Sequence, residues 1–457
     1  MSLRFYNTLH RQLEDFTPLH APEVGLYTCG PTVYWSAHIG NFRSYVFEDV
    51  LQRVLEMEGF LVKRVMNITD VGELADNGED KMLLGAKREG KTVQEVAQMY
   101  LDRFLRDAER LNIKIPKPPF LCKATEHIFQ QIELIQVLEQ RGFTYQTDDG
   151  VYFDTAKFSA YGSFSGQKLE DKEAGARVAI NDQKRNATDF ALWKFAPLDA
   201  ERQLWESPWG TGFPGWHVEC SAMARLYLGQ PFDIHCGGVD HIPVHHENEI
   251  AQSEAAYGVP LANYWLHNEF VLVDDKKMSK SLGNVYTIDD LAARGFDPLA
   301  YRYFCLNAQY RSKINFTWQA LEGAAQGLKH VQAVARTSTR GTHTDQDVYE
   351  KFCQALEDDL NTPRALAVMW DFLKSDVSSD VKGATLLKMD EVLGLGLDAI
   401  VGRLIEAPAE LRQLAQERQV AREAKDFARA DALRKEIEQR GWTVLDGSDG
   451  AWTLVAS

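Results

Sequence analysis

The 457-residue sequence predicts an α/β protein: a Rossmann-like parallel-sheet domain with an inserted domain, followed by a helical domain and a small C-terminal module. Three observations carry that reading. Strand, helix and strand signals follow one another within about 45 residues near the start, the mark of a parallel βαβ unit. Short aromatic runs break this rhythm from residue 117 to 204. Strand signals then vanish after residue 316 and return only at 442–445. The length itself suggests about three domains.

The elements follow in order. Residues 24–29 (VGLYTC) read as a short strand, ended by a turn at Gly30 and Pro31. From residue 39 to 57, Tyr45, Val46, Val50, Leu51, Val54 and Leu55 recur at helical spacing. Residues 61–68 (LVKRVMNI) form the second strand, so the crossover is right-handed and the sheet parallel. The interruption at 117–204 contains the aromatic runs 151–153 and 190–195 and a polar, lysine-bearing stretch. The α/β pattern resumes at 231–235 (PFDIH) with a helix after it. The segment 357–363 (EDDLNTP) opens a helical region, and 409–440 carries a further helical pattern. There Phe427, Ala430, Leu433 and Ile437 form an apolar stripe, while Arg418, Arg422, Lys425, Arg429, Arg434, Lys435 and Arg440 supply positive charge.

Composition narrows the class. Apolar residues make up 45% and charged residues 25%, as in an ordinary globular enzyme. No long uncharged apolar run is present and the start lacks a secretory h-region, so the expectation is a cytoplasmic protein with no membrane partner. Six scattered cysteines are not a disulfide framework and point to metal binding or catalysis. A formal charge of −16 weighs mildly against nucleic acid, although a local basic face decides that question.

Two segments suggest a phosphate site. In 31–41 (PTVYWSAHIGN), Gly40 allows close backbone approach and His38 can donate to a phosphate oxygen, beside the N–H groups of a helix start. On this segment alone an ordinary turn is about as good a reading. Far downstream, 277–281 read KMSKS: Lys277 and Lys280 flank small polar residues in a loop able to close over a polyphosphate and neutralise a leaving group. A metal site is suggested separately. Cys29 ends the first strand, Cys220 lies in GWHVECSAM, and His245 and Glu249 share a helix face at i, i+4. Two thiolates, an imidazole and a carboxylate suit zinc, but two core cysteines and a surface helix explain the same residues.

HIGN and KMSKS resemble the two signature motifs of class I aminoacyl-tRNA synthetases. YTCGPTVY, NITD, GWHVECSAM, HHENEIAQS and EDDLNTP further resemble the cysteinyl-tRNA synthetase family, over almost the whole chain. Asn41 departs from the fullest motif, which has a second histidine there. The resemblance implies a cysteine–tRNA ligase with L-cysteine, ATP (with Mg2+) and tRNA(Cys) as partners, working as a monomer. It implies catalysis by His38, Lys277 and Lys280, and ATP contacts from His38, Gly40, Asn41 and Lys280. It implies one zinc ion per chain held by Cys29, Cys220, His245 and Glu249, and a cysteine pocket of Thr69, Trp216 and Asp240. His246 and Glu247 point elsewhere on a regular helix, and Cys236 is a pocket wall. The implied domains are a catalytic domain at 1–116 and 205–268, an insertion at 117–204, a KMSKS-bearing stem-contact region at 269–330, a helical anticodon-binding domain at 331–408 and a C-terminal anticodon module at 409–457. Two other readings share some of these features: a mycothiol-type cysteine ligase acting on an amino sugar, and a non-catalytic zinc- and RNA-binding module.

Overall fold

A computed structural model describes residues 2–74, 79–166, 182–196, 203–279, 282–403, 406–446 and 452–456. At its centre is a five-stranded, all-parallel sheet. From edge to edge its strands are Ala262–Asn268, Phe232–Gly238, Glu23–Thr28, Leu61–Ile68 and Leu121–Lys123. In chain order this is 5-4-1-2-3, so the winding reverses between Glu23–Thr28 and Phe232–Gly238. Ligands of such sheets bind past the carboxyl ends of the strands at that reversal.

The helix Ile39–Met57 is buried on more than its sheet face. Phe42, Val46, Val50 and Leu51 fill the core, while Arg43, Glu48, Asp49 and Arg53 are also buried. Arg43 donates to the carbonyls of Phe270 and Tyr310 at 2.9 and 3.1 Å, and Glu48 Oε2 accepts from Arg64 at 2.8 Å. One continuous core joins this helix to the helices Pro298–Leu306, Trp318–Thr337, Gln346–Glu357, Thr362–Leu373 and Ser379–Leu393. The helical region is therefore packed onto the sheet domain without a separate core.

The inserted segment differs from the expected bounds. Leu121–Lys123, past the expected start at 117, belongs to the central sheet; three residues are too few to show a period. Beyond it, Thr144–Thr147, Gly150–Phe153, Phe190–Phe195 and Gly212–Pro214 form a four-stranded antiparallel sheet that runs past 204. Its core includes Val218, Ala222, Ala251 and Ala255, so the insertion braces the two helices Trp216–Leu228 and Glu247–Tyr257.

EDDLNTP ends one helix and begins the next. Asp359 and Leu360 take φ of 57° and 54°, and the Asp359 carboxylate accepts from Tyr6 N (2.8 Å) and Tyr310 Oη (2.7 Å), which offsets that strain. The tail is a hairpin of Ala409–Glu423 and Phe427–Gln439 followed by the strand pair Trp442–Asp446 and Trp452–Ala456. It has a small core of its own, including Leu411, Ala415, Ile437 and Val444. Among the described residues no helix is long and apolar enough to cross a membrane.

Candidate metal centre and nucleotide turn

Cys29 leaves the first strand at the winding reversal, Cys220 sits in the first half of Trp216–Leu228, and His245 and Glu249 bracket the start of Glu247–Tyr257. One ligand atom from each of the four lies within 4.8 Å of the others, all buried. His245 Nε2 is 2.9 Å from Glu249 Oε1. That oxygen nevertheless completes no hydrogen bond, and His235 Nδ1 and His241 Nδ1 are likewise without one. Buried polar atoms without partners are costly and rare, and a cation between Glu249 and its neighbours would satisfy the carboxylate oxygen.

A second group, Cys29, His235, His246 and Glu249, is equally compact. Its imidazoles already have partners: His235 Nε2 bonds Glu249 Oε2 at 3.0 Å, and His246 Nδ1 bonds His267 Nε2 at 2.8 Å. His267 Nδ1 in turn meets Thr8 Oγ1 at 2.8 Å. Such contacts orient ligands from behind, and they leave Oε1 as the open oxygen of Glu249. His217 Nδ1 lies 3.0 Å from His245 Nδ1, so His245 turns Nε2 toward the cluster. Cys29, Cys220, His245 and Glu249, the set expected from the sequence, are thus brought together in one buried cluster able to accept a metal.

Electrostatics favour the ionised forms of Cys29 and Glu249, which the two groups share. Burial works to raise the Cys29 thiol, but hydrogen bonds with Cys220, His241, His245 and His246 outweigh it and hold the thiol well below its usual range. Burial likewise opposes ionisation of Glu249, yet the imidazoles of His235 and His245 bring it down to about 2. Cys220 is pushed well above its usual range, by burial and then by Cys29. A divalent cation would relieve that repulsion by accepting both thiolates.

His246 corrects the reading from regular helical spacing. It is fully buried, with Nε2 3.5 Å from Cys29 Sγ. The reason is the π-helical turn Ile242–His246, whose wider winding brings two consecutive histidines inward. Glu247 does point elsewhere: its carboxylate accepts from Gly162 N and Ser165 N and anchors the inserted segment. Cys236 is buried in the strand Phe232–Gly238 and belongs to neither metal grouping.

Around the cluster, Trp216 stacks on His245 with ring centroids 4.4 Å apart and planes at 26°. The Thr69 hydroxyl is buried and donates to Glu219 Oε1. Asp240 is exposed on the short turn Val239–His241; a Cβ on Gly238 would come within 2.3 Å of its carboxylate. Composition and spacing offered no means of singling out His217, His235, His241 or Glu219, because their roles depend on strand ends far apart in the chain.

The nucleotide turn lies at the start of the helix Ile39–Met57, which follows Cys29 in the chain. His38 is its N-cap: Nδ1 accepts from Gly40 N at 3.1 Å, and Asn41 Oδ1 accepts from His38 N at 3.1 Å. Asn41 thus closes a capping box, a role available to asparagine as well as to a longer polar residue. With Nδ1 accepting, the neutral His38 ring carries its proton on Nε2. A Cβ on Gly40 would lie 2.3 Å from Met278 Cε, so the KMSKS stretch rests directly on the helix start. Asn284 shapes that stretch by accepting from Ser279 N (2.9 Å) and donating to Lys277 O (3.2 Å). Lys277 is exposed, its ammonium 5.8 Å from the Phe270 ring centroid. Lys280 lies outside the described residues.

Comparison with known proteins agrees with this arrangement. Residues 15–326 match the family described as tRNA synthetases class I (C) catalytic domain, and residues 351–375 match the DALR domain. The chain is 49% identical over 455 residues to "Cysteine--tRNA ligase 1" of Burkholderia lata, covering 98% of this chain and 96% of that protein. It is 42% identical to "Cysteine--tRNA ligase" of Treponema denticola, covering 99% of each. Among solved structures, the Mycobacterium tuberculosis methionyl-tRNA synthetase in complex with methionyl-adenylate superposes with a TM-score of 0.55 at 16% identity, over 83% of this chain and 91% of that one. The LeuRS of Agrobacterium radiobacter K84 in its ternary complex gives 0.56 at 13%, over 84% and 85%. At such identities these two speak for the fold alone.

Proposed function

The chain belongs to the cysteine–tRNA ligase family of class I tRNA synthetases, and from that premise we propose that it activates L-cysteine with ATP and Mg2+ and transfers it to the 3′-terminal adenosine of tRNA(Cys). It acts as a cytoplasmic monomer. The observation that carries the reading is the convergence of Cys29, Cys220, His245 and Glu249 at the winding reversal, beside the capped helix start on which Met278 rests.

The four side chains hold zinc, which when bound supplies a thiophilic acceptor that favours a cysteine thiolate over a serine alcohol. Trp216, stacked on His245, closes one side of the amino-acid pocket against water. Thr69 has committed its proton to Glu219, so it meets a ligand only as an acceptor, which suits an ammonium group. Asp240 provides the carboxylate for the same α-ammonium. At the nucleotide turn, His38 Nε2–H faces the phosphates at the positive end of the helix dipole. Gly40 keeps the surface there low. Lys277 and Lys280 bring positive charge to the pyrophosphate as it leaves, which lowers the barrier more than it tightens ground-state binding. The hairpin 409–440, less acidic than the chain as a whole, and the helical domain before it meet the tRNA.

ATP–pyrophosphate exchange with each of the twenty amino acids tests the proposal. Cysteine is expected to support strong exchange, with serine weaker by about two orders of magnitude or more, since a purely apolar pocket separates near-isosteres only ~10–200-fold. Comparable exchange with serine, or none with cysteine, overturns it.

A further inference from the structure

We infer that Asn67 is a positioning residue of the metal centre, one amide that holds both thiol-bearing segments and Thr69 in register; the inference rests on the zinc site proposed above. Cys29 lies just beyond the sheet ladder, whose last pairs on either side of its strand are Thr28 with Met66 and Thr28 with Cys236. Its own backbone N–H reaches Cys236 O only at 3.4 Å. The next residue is held more closely: Gly30 N donates to Asn67 Oδ1 at 2.9 Å. Here the two strand ends come so close that a Cβ on Gly30 would lie 1.8 Å from Asn67 O. No side chain fits between them, so the Cys29 segment takes its position from Asn67.

The other end of the same amide serves the other thiol. Asn67 Nδ2 donates to Glu219 Oε1 at 3.2 Å and to Thr69 Oγ1 at 3.1 Å, and Thr69 Oγ1 also donates to Glu219 Oε1. Glu219 immediately precedes Cys220 on the helix Trp216–Leu228. All three side chains are at most 2% exposed. The amide thus joins three separate segments, 29–30, 67–69 and 219–220. Oδ1 only accepts and Nδ2 only donates, so the amide serves both ends at once without a charge. Outer-shell groups that orient metal ligands typically contribute ~10–100-fold to metal affinity.

Two variants test this, Asn67→Ala and Asn67→Asp. The aspartate keeps the shape and the acceptor for Gly30 N but loses the donor to Glu219 and Thr69. Zinc affinity of the full chain is measured by competition with a chromophoric chelator, alongside melting temperature and the separate KM values for cysteine and ATP in exchange. Both variants are expected to bind zinc ~10–100-fold more weakly and to raise KM for cysteine, with KM for ATP unchanged. A merely structural role would move both KM values together. Zinc affinity within twofold of the parent in folded Asn67→Ala overturns the inference. Should Asn67→Ala not fold, Asn67→Asp decides by the same criterion. If the parent chain itself binds no zinc, it is the metal-site reading that fails.

Discussion

The protein buries two dense polar clusters and satisfies them differently. Around Asp49, each member is matched by protein atoms. Its carboxylate accepts from Arg53 Nε (2.7 Å), Arg302 Nη2 (2.6 Å) and Lys114 N (2.7 Å). Arg302 spends its other donors on the carbonyls of Leu393, Leu111 and Asn112, and Arg53 on those of Glu391 and Asn112. Around Glu249, by contrast, Glu249 Oε1 and Nδ1 of its partner His235 have no hydrogen-bond partner among the described residues. Leaving a buried polar atom unpaired costs about 1–3 kcal/mol. A cluster that is complete in itself serves the fold, here tying the helix Ile39–Met57 to the end of Ser379–Leu393. A cluster left incomplete at the carboxyl ends of the strands is compatible with a metal site.

The largest expected effect comes from breaking the incomplete cluster. Cys220→Ser should abolish stoichiometric zinc and reduce cysteine-dependent exchange by more than the ~10–100-fold typical of an outer-shell change. tRNA binding, carried by the distant helical parts, should persist. Retention of one zinc per chain with full activation would shift the ligand set to Cys29, His235, His246 and Glu249.

Breaking the complete cluster should act on stability instead. Arg302→Met leaves the Asp49 charge buried beside a single remaining cation, and removal of one partner of a buried pair costs about 3–5 kcal/mol. Urea unfolding reads this directly, and zinc affinity of the folded variant should equal the parent's. A cost below about 1 kcal/mol, or a change in zinc affinity, would erase the distinction between the clusters.

A smaller, pH-dependent effect sharpens it. Burial tends to raise the Asp49 carboxyl, but the charges of Arg302 and Arg53 outweigh it and hold it below the usual range. A depressed acid stabilises the fold above its unfolded pKa of about 3.9, and that contribution is lost as pH falls through the folded value. The unfolded chains being alike, the stability difference between parent and Arg302→Met should be constant above the folded Asp49 pKa of the variant and shrink as pH falls from there through the depressed value of the parent. A difference that grew on acidification would contradict the direction of the shift.

Much of the fold was legible because its cues are local. The first βαβ unit was visible in periodicity and the hairpin start at Ala409 in helical pattern, and the structure has both. The short strands Leu121–Lys123 and Val271–Val273 were not legible, since three residues carry no period and their strand state comes from pairing. The fusion of the helical region with the sheet domain was equally hidden. Apolar stripes say that a face is buried, not against what. In the site, residue types were suggestive but undecided: Cys29 and Cys220 read as well for a core as for a metal until their neighbours were known.

By itself, then, the sequence determined what depends on neighbours along the chain: the strand–turn–helix at 24–57 and the cationic KMSKS stretch. Only the tertiary structure decided which cysteines and histidines meet. The 5-4-1-2-3 strand order puts Cys29 beside the segment that follows Gly238, and the inserted sheet braces the helices that carry Cys220 and Glu249. The π-helical turn brings His246 inward as well as His245. Ligand geometry is set within a few ångströms by packing between segments about 190–220 residues apart in sequence, and no spacing rule along the chain reaches that far.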